Sequence, residues 1–400
     1  MPATPKRVAI VATVYRHWSH VDVLAGKILE GFLYDGGEKP ALEVASMFVD
    51  QIPANDLSRP MAKRFGYRVS PTIADALTLG TGKLAVDGVL IIGEHGIYPT
   101  NDVGQILYPR RRLLAEVCDV FEQAKRSVPV FHDKHLGPTW TDAKWMAERV
   151  RALHVPFLAG SSVPLTWRKP VVNLEKGAKL THAFGMGYGP LEGYGFHALE
   201  MFQSMVERRS GGEVGVQAVQ YLSGPDMWKP IDQDAPTRAL FERTRKLVTG
   251  HAPGDIREIT AKTTDAGLFV IEYRDGFRGI VMMPNGWVYE GDGGAFLFAG
   301  QLANQPEPLA CQFWLQNYDP FAHFSYLLQA IEKLIHTGQP GYPFERTLLT
   351  SGILDGLMRS RHQQNRRIET PELAIRYQPT NYPFATDPIP PAVQRKKLIP

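Results

Sequence analysis

Cysteine is scarce: Cys118 and Cys311 are the only two in 400 residues. They lie far apart, each in an apolar context, and read as two buried free thiols rather than a disulfide or a cysteine metal site. Neither sign of charge prevails, since 44 Lys and Arg against 41 Asp and Glu leave a formal +3. That balance disfavours nucleic acid, or an acidic membrane surface, as the main partner. No apolar run reaches membrane-spanning length, and MPATPKRVAIVATVYR leads into a strand with no apolar leader and no cleavage site. A cytoplasmic protein with no membrane partner is the expectation. The chain also lacks a Gly-x-Ser-x-Gly elbow, a P-loop, a His-Glu-x-x-His pair and any internal repeat. No serine or cysteine stands out as a nucleophile.

What is present is organised around the stretch 85–160. VDGVLIIG (Val86–Gly93) and VPVF (Val128–Phe131) are near-continuous apolar runs that read as buried parallel strands. RRRLLAEVCDVFEQAKR between them carries apolar residues at three- and four-residue spacing, which suits a crossover helix. Its basic start, Arg110–Arg112, reads as solvated charge at a helix start or as an anion site. Thr141 is a plausible N-cap for a helix to Ala152, and VPFLAG follows as a further strand. Upstream, KRVAIVAT and LEVASMFVD are strands, HVDVLAGKILEGFL an amphipathic helix, and SRPMAKRFG and TIADALTLG short helices. Strand and helix alternate to Gly160, which predicts an α/β domain over 1–160 with a doubly wound parallel sheet.

Beyond SSVPLTWRKP the pattern changes, and GEVGVQAVQYLSG, AGLFVIEYRDG and GFRGIVMMPNGWVYEG are separated by turns, not helices. PNG and DGG are hairpin-like signals. These features predict an α+β domain over 161–400 with an open, mainly antiparallel sheet, two late helices and an extended arm from Tyr377. Its strands carry more apolar residues than one helix layer easily covers. An exposed sheet face, and hence a homo-oligomer, is the expectation.

Several of these stretches resemble the glucose-fructose oxidoreductase / inositol dehydrogenase (Gfo/Idh/MocA) family. VPVFHDKHLGPTW is similar to the segment with that family's Glu-Lys-Pro signature, with Asp133-Lys134-His135 in its place. PLEGYGFHALEMF is similar to the helix with its Asp-x-Gly-x-His motif, where His197 falls on the histidine and Glu192 stands beside the missing aspartate. The resemblance implies a Rossmann-like first domain holding a nicotinamide cofactor (NAD), and a sugar or polyol as small-molecule substrate between the domains. A dinucleotide turn needs glycines where backbone approaches pyrophosphate, and Ala12-Thr13-Val14-Tyr15-Arg16-His17 has none. Tyr15 and Arg16 would then fill phosphate space, although Arg16 could itself bind phosphate. Asp50 remains as a ribose acceptor, so Thr13, Arg16, Asp50 and Glu94 are the cofactor candidates.

For the chemistry, Lys134 could exchange a proton or polarise a carbonyl, His197 could share that work, and Glu192 could orient His197. Glu94 and His95 form a charged pair at a strand end, and His132 and His135 flank Lys134. Imidazoles on adjacent strand ends could hold a divalent metal, with His95, His132, His135 and His197 as candidate ligands. The leading reading is a nicotinamide-dependent oxidoreductase acting on a sugar, polyol or related hydroxy compound. The alternative keeps the fold and loses the dinucleotide site, leaving a metal- or His-dependent hydrolase or lyase. A silent binding protein is the blandest option, and the dense polar loops argue against it.

Overall fold

The computed structural model describes residues 4–288, 291 and 293–395. The first half alternates strand and helix. In chain order these are β1 (Lys6–Ala12), α1 (His20–Glu30), β2 (Leu42–Val49), α2 (Ser58–Phe65), β3 (Arg68–Val69) and α3 (Ile73–Thr78). β4 (Gly88–Ile92), α4 (Arg110–Ala124), β5 (Val130–Asp133), α5 (Trp140–Ala152) and β6 (Phe157–Gly160) follow. The strands form one parallel sheet in the order β3-β2-β1-β4-β5-β6. The chain reverses direction between β1 and β4, and such a switch point opens a crevice at the strands' carboxyl ends. Residues 88–92 are all buried, because helices cover both faces of a parallel sheet.

Two local expectations shift. The β5 strand is Val130–Asp133 rather than Val128–Phe131. Pro129 has no N–H and only its carbonyl joins the ladder, accepting from Val89 N at 3.0 Å. His132 and Asp133 thereby enter the strand. The α5 cap is Thr139, whose side chain accepts from Asp142 N, not Thr141.

The second half contains β7 (Trp167–Lys169), β8 (Leu180–Met186), α6 (Gly193–Val206), β9 (Val216–Leu222), α7 (Lys229–Gln233), α8 (Ala235–Arg245) and α9 (Ile256–Ala261). It continues with β10 (Gly267–Tyr273), β11 (Arg278–Met283), β12 (Gly293–Leu302), β13 (Leu309–Leu315), α10 (His323–Thr337), α11 (Glu345–His362) and β14 (Ile368–Glu369). Its sheet runs β14-β9-β10-β11-β8-β12-β13-β7 and is antiparallel except for the β11–β8 pair. The fold class is therefore the expected one: a Rossmann-like parallel sheet and a separate, mainly antiparallel sheet.

PNG does not close a hairpin, because β8 lies between β11 and β12 in the sheet. Asn285 instead anchors the chain after β8: its side chain accepts from Gly189 N at 2.8 Å and donates to Gly189 O at 2.8 Å. Asp292 of DGG lies outside the described residues. Among the described residues the exposed sheet face is not found either. β10, β11 and β12 are almost entirely buried in the single chain, and Trp228, Ile231, Leu240 and Phe241 pack into the same core. The stretch 229–261, for which the sequence pattern predicts no element, folds into α7–α9 and supplies that second cover. The apolar strands thus give no argument for a homo-oligomer. From Tyr377 the chain runs without helix or strand to Arg395, which reaches α1 and pairs with Asp22 and Glu30.

Candidate active site

The carboxyl ends of β4 and β5 and the start of α1 converge on one cleft of about 270 Å³. Glu94 and His95 follow β4, while Asp133 ends β5 with Lys134 next. His95 (φ 61°) and Lys134 (φ 63°) both sit in the left-handed region. That conformation costs a non-glycine residue roughly 1–2 kcal/mol. Lys134 is held there by its N–H, which donates to Gly160 O at 3.0 Å. Two adjacent strand ends thus carry this strain, each at a titratable residue.

Glu94 is the hub. Its carboxylate is buried, with the Lys134 ammonium on Oε2 and His95 Nε2 at 3.0 Å from Oε1. Backbone N–H of His20 donates to Oε1 at 3.3 Å. Burial opposes ionisation, but His20, Lys134 and His95 together outweigh it and hold Glu94 well below the usual carboxylate range. His20 Nδ1 lies 2.8 Å from Asp133 Oδ2 and 3.4 Å from Glu94 Oε1. The carboxylates on either side orient the ring with Nδ1–H toward them. An imidazole oriented by a buried carboxylate is a general-base arrangement.

The facing wall comes from the second sheet and its helices. His197 on α6 lines the cleft together with Tyr188, Tyr194, Phe296 and Asn317, and Trp18, Phe321 and Phe324 close the near side. Burial first, and then Lys134 and His20, push His197 far below the ordinary imidazole value, so the ring is neutral.

The cleft therefore joins Lys134, His95, Glu94 and His197, and leaves out the other sequence candidates. Glu192 does not orient His197, because it stands 3.0 Å from His135 Nε2. His135 also meets Arg110 Nη1 at 2.6 Å, and burial and Arg110 lower its pKa to about 4. Arg110 is no solvated charge but is buried to 1% exposure. His132 is fully buried, and neither ring nitrogen has a hydrogen-bond partner among the described residues. Among the described residues, the metal-capable group is His20, Glu94 and Asp133, with ligand atoms within 4.8 Å of one another. None of the four histidines expected as ligands belongs to it: His132 and His135 are buried and do not line the cleft, while His95 and His197 line it without joining that group. Sequence reasoning missed His20 and Asp133. The available signals were a histidine opening the first helix and an acid ending a buried strand.

The four cofactor candidates are engaged within the chain. Thr13 Oγ1 donates to Glu94 O, and Arg16 Nη2 stands 3.3 Å from His95 Nδ1. Asp50 is bound on Oδ2 by Tyr98 OH at 2.8 Å and on Oδ1 by Arg112. Tyr15 does not fill phosphate space but packs, fully buried, in the core under α1.

No protein-family model and no curated protein matches this chain. Solved structures do. GenD2 from gentamicin A biosynthesis, in complex with NAD, is 14% identical over 92% of this chain and 97% of its own, with a TM-score of 0.56. Apo scyllo-inositol dehydrogenase from Lactobacillus casei is 11% identical over 92% and 99%, with a TM-score of 0.55. Myo-inositol 2-dehydrogenase from Lactobacillus plantarum is 10% identical over 92% and 99%, with a TM-score of 0.53. At such identities the likeness establishes the fold.

Proposed function

We propose that this chain is an enzyme of the Gfo/Idh/MocA type that acts at a hydroxyl-bearing carbon of a sugar, polyol or related hydroxy compound. One observation carries the reading: Lys134, charge-compensated by Glu94, and His20, oriented by Asp133, meet at adjacent strand ends in a cleft walled by aromatic rings. His20 takes the proton, and Lys134 faces the substrate oxygen as acid or polarising charge. Neutral His197 on the opposite wall offers a hydrogen bond without repelling Lys134. Aromatic faces suit the C–H faces of a sugar ring. A cleft slightly under the roughly 300–1,000 Å³ of drug-sized sites suits one small molecule.

The solved structures of this fold include an NAD complex and inositol dehydrogenases, and that likeness supports an oxidoreductase. A nicotinamide dinucleotide would then supply hydride transfer. The residues at its expected seat do not fit it, since Thr13, Arg16 and Asp50 are all bound to other parts of the chain. That misfit favours a second reading in the same cleft, redox-neutral proton transfer as in an isomerase or lyase.

The test is binding of a panel of aldoses, ketoses and inositols, by calorimetry, to wild type and Lys134→Met. Loss of a charged hydrogen bond costs about 1.5–3 kcal/mol, so affinity for the best ligand should fall at least tenfold or so. Equal binding by both proteins, or no saturable ligand in the panel, rejects the reading.

A further inference from the structure

The loop after β4 does not stay at its own strand end. Glu94 O accepts from Thr13 Oγ1, and His95 meets Arg16, both at the end of β1. Farther on, Ile97 N donates to Gln51 Oε1 at 2.9 Å while Gln51 Nε2 donates to Ile97 O at 3.0 Å. Tyr98 OH then reaches Asp50 at 2.8 Å, just past the end of β2. The segment Glu94–Tyr98 thus crosses the strand ends from β4 over β1 to β2. In a sheet of this topology that is the line a dinucleotide follows, with pyrophosphate over the first helix and ribose on the acid after β2.

Both anchoring points of a dinucleotide are filled as well. At the α1 N-terminus, Trp18 N donates to Asp22 Oδ2 at 3.0 Å and His20 N to Glu94 Oε1 at 3.3 Å. Ser19 Oγ accepts from Asp22 N at 3.3 Å. Donors that would face a phosphate are spent on the chain's own groups, two of them carboxylates that repel one. At the ribose end, Arg112 and Tyr98 occupy both oxygens of Asp50.

We infer that the dinucleotide track of this fold is closed from within by the Glu94–Tyr98 segment, so that the reaction in the cleft runs without a nicotinamide cofactor. Glu94 stands where the pyrophosphate charge would lie and serves as the fixed counter-charge of Lys134. The chemistry left to the cleft is proton transfer on a hydroxy-carbonyl compound. His20 takes the proton from the carbon beside the carbonyl, and the C–H pair becomes a C=C bond. The carbonyl π pair moves to the oxygen facing Lys134, which donates a proton to it. Return of a proton to carbon and loss of one from a hydroxyl complete an isomerisation or epimerisation with nothing oxidised or reduced overall.

The inference rests on the cleft being the reaction site, and its test separates the two. Full-length protein is titrated with NAD, NADH, NADP and NADPH by calorimetry, and a denatured sample is analysed for released nucleotide by mass spectrometry. No saturable heat to about 1 mM, a weak limit near −4 kcal/mol, and no released nucleotide are the expected results. A micromolar Kd for any of the four, or stoichiometric release, overturns the inference and leaves the Lys134→Met comparison standing. Turnover of a sugar by gel-filtered protein that appears only on adding NAD or NADP overturns it equally.

Discussion

Replacing Glu200 by Gln should change how stability depends on pH. Glu200 lies on α6 and is fully buried. Its Oε2 accepts from Ser161 N at 2.8 Å and Ser161 Oγ at 2.6 Å, while Oε1 has no hydrogen-bond partner among the described residues. Oε1 is pressed against Gly160, where a Cβ would stand 2.0 Å away. Burial pushes the carboxyl up to about 7 from its ordinary 4.5, against the opposing pull of Ser161 and Arg346. Between those values the unfolded chain has released a proton that the folded chain keeps. Stability therefore falls as pH rises from 4.5 to about 7 and is level above. At about 1.4 kcal/mol per pH unit the window holds about 3 kcal/mol. The glutamine imitates the protonated acid, so Glu200→Gln should match wild type near pH 5 and exceed it by up to about 3 kcal/mol at pH 8. Urea unfolding of both proteins at pH 5, 6, 7 and 8, followed by tryptophan fluorescence, reads the difference directly. A gap that stays constant across these pH values would refute the reasoning.

Other perturbations probe the supports of the site. Arg346 and Glu207, both fully buried, pair through Nε–Oε2 at 2.8 Å and Nη2–Oε1 at 2.5 Å. Arg346→Met strands the carboxylate and should cost about 3–5 kcal/mol in urea unfolding, whereas a loss below about 1 kcal/mol would mean the pair is dispensable. Arg395 binds buried Asp22 at 2.8 Å and holds the C-terminal arm on α1; Arg395→Ala should release the arm to limited proteolysis, and an unchanged cleavage rate would contradict that anchor. Burial raises both thiols to about 12, so Cys118 and Cys311 should resist Ellman's reagent in the native protein and react once it is denatured. Fast native labelling of either would show an opening that the packing does not allow.

The architecture was legible because β-branched runs and helical spacing alternate up to Gly160 and then give way to turn-separated strands. The strand ends bearing Glu94, His95 and Lys134 followed from the same pattern, since a parallel sheet presents its ligand loops there. Other features depended on contacts far apart in sequence. The burial of Arg110 against His135 and the pairing of His20 with Asp133 join separate elements, and no local spacing encodes them. Asp50 read as a free acceptor because Tyr98 and Arg112, its partners, lie well along the chain on and beyond another loop. The covering of the second sheet was missed for a compositional reason. Lys229–Ala261 is rich in charge and proline, which hides the few apolar residues that α7 and α8 turn inward.

A crystal structure with the tightest-binding member of the sugar and polyol panel tests the central claim most directly. The expected result is a ligand oxygen within hydrogen-bond reach of Lys134 Nζ, with His20 and His197 facing the same ring and the Glu94–Tyr98 segment still latched to Gln51. A ligand seated elsewhere, such as the groove lined by Asp75, Thr78, Lys83 and Arg126, with Lys134 untouched, would contradict it.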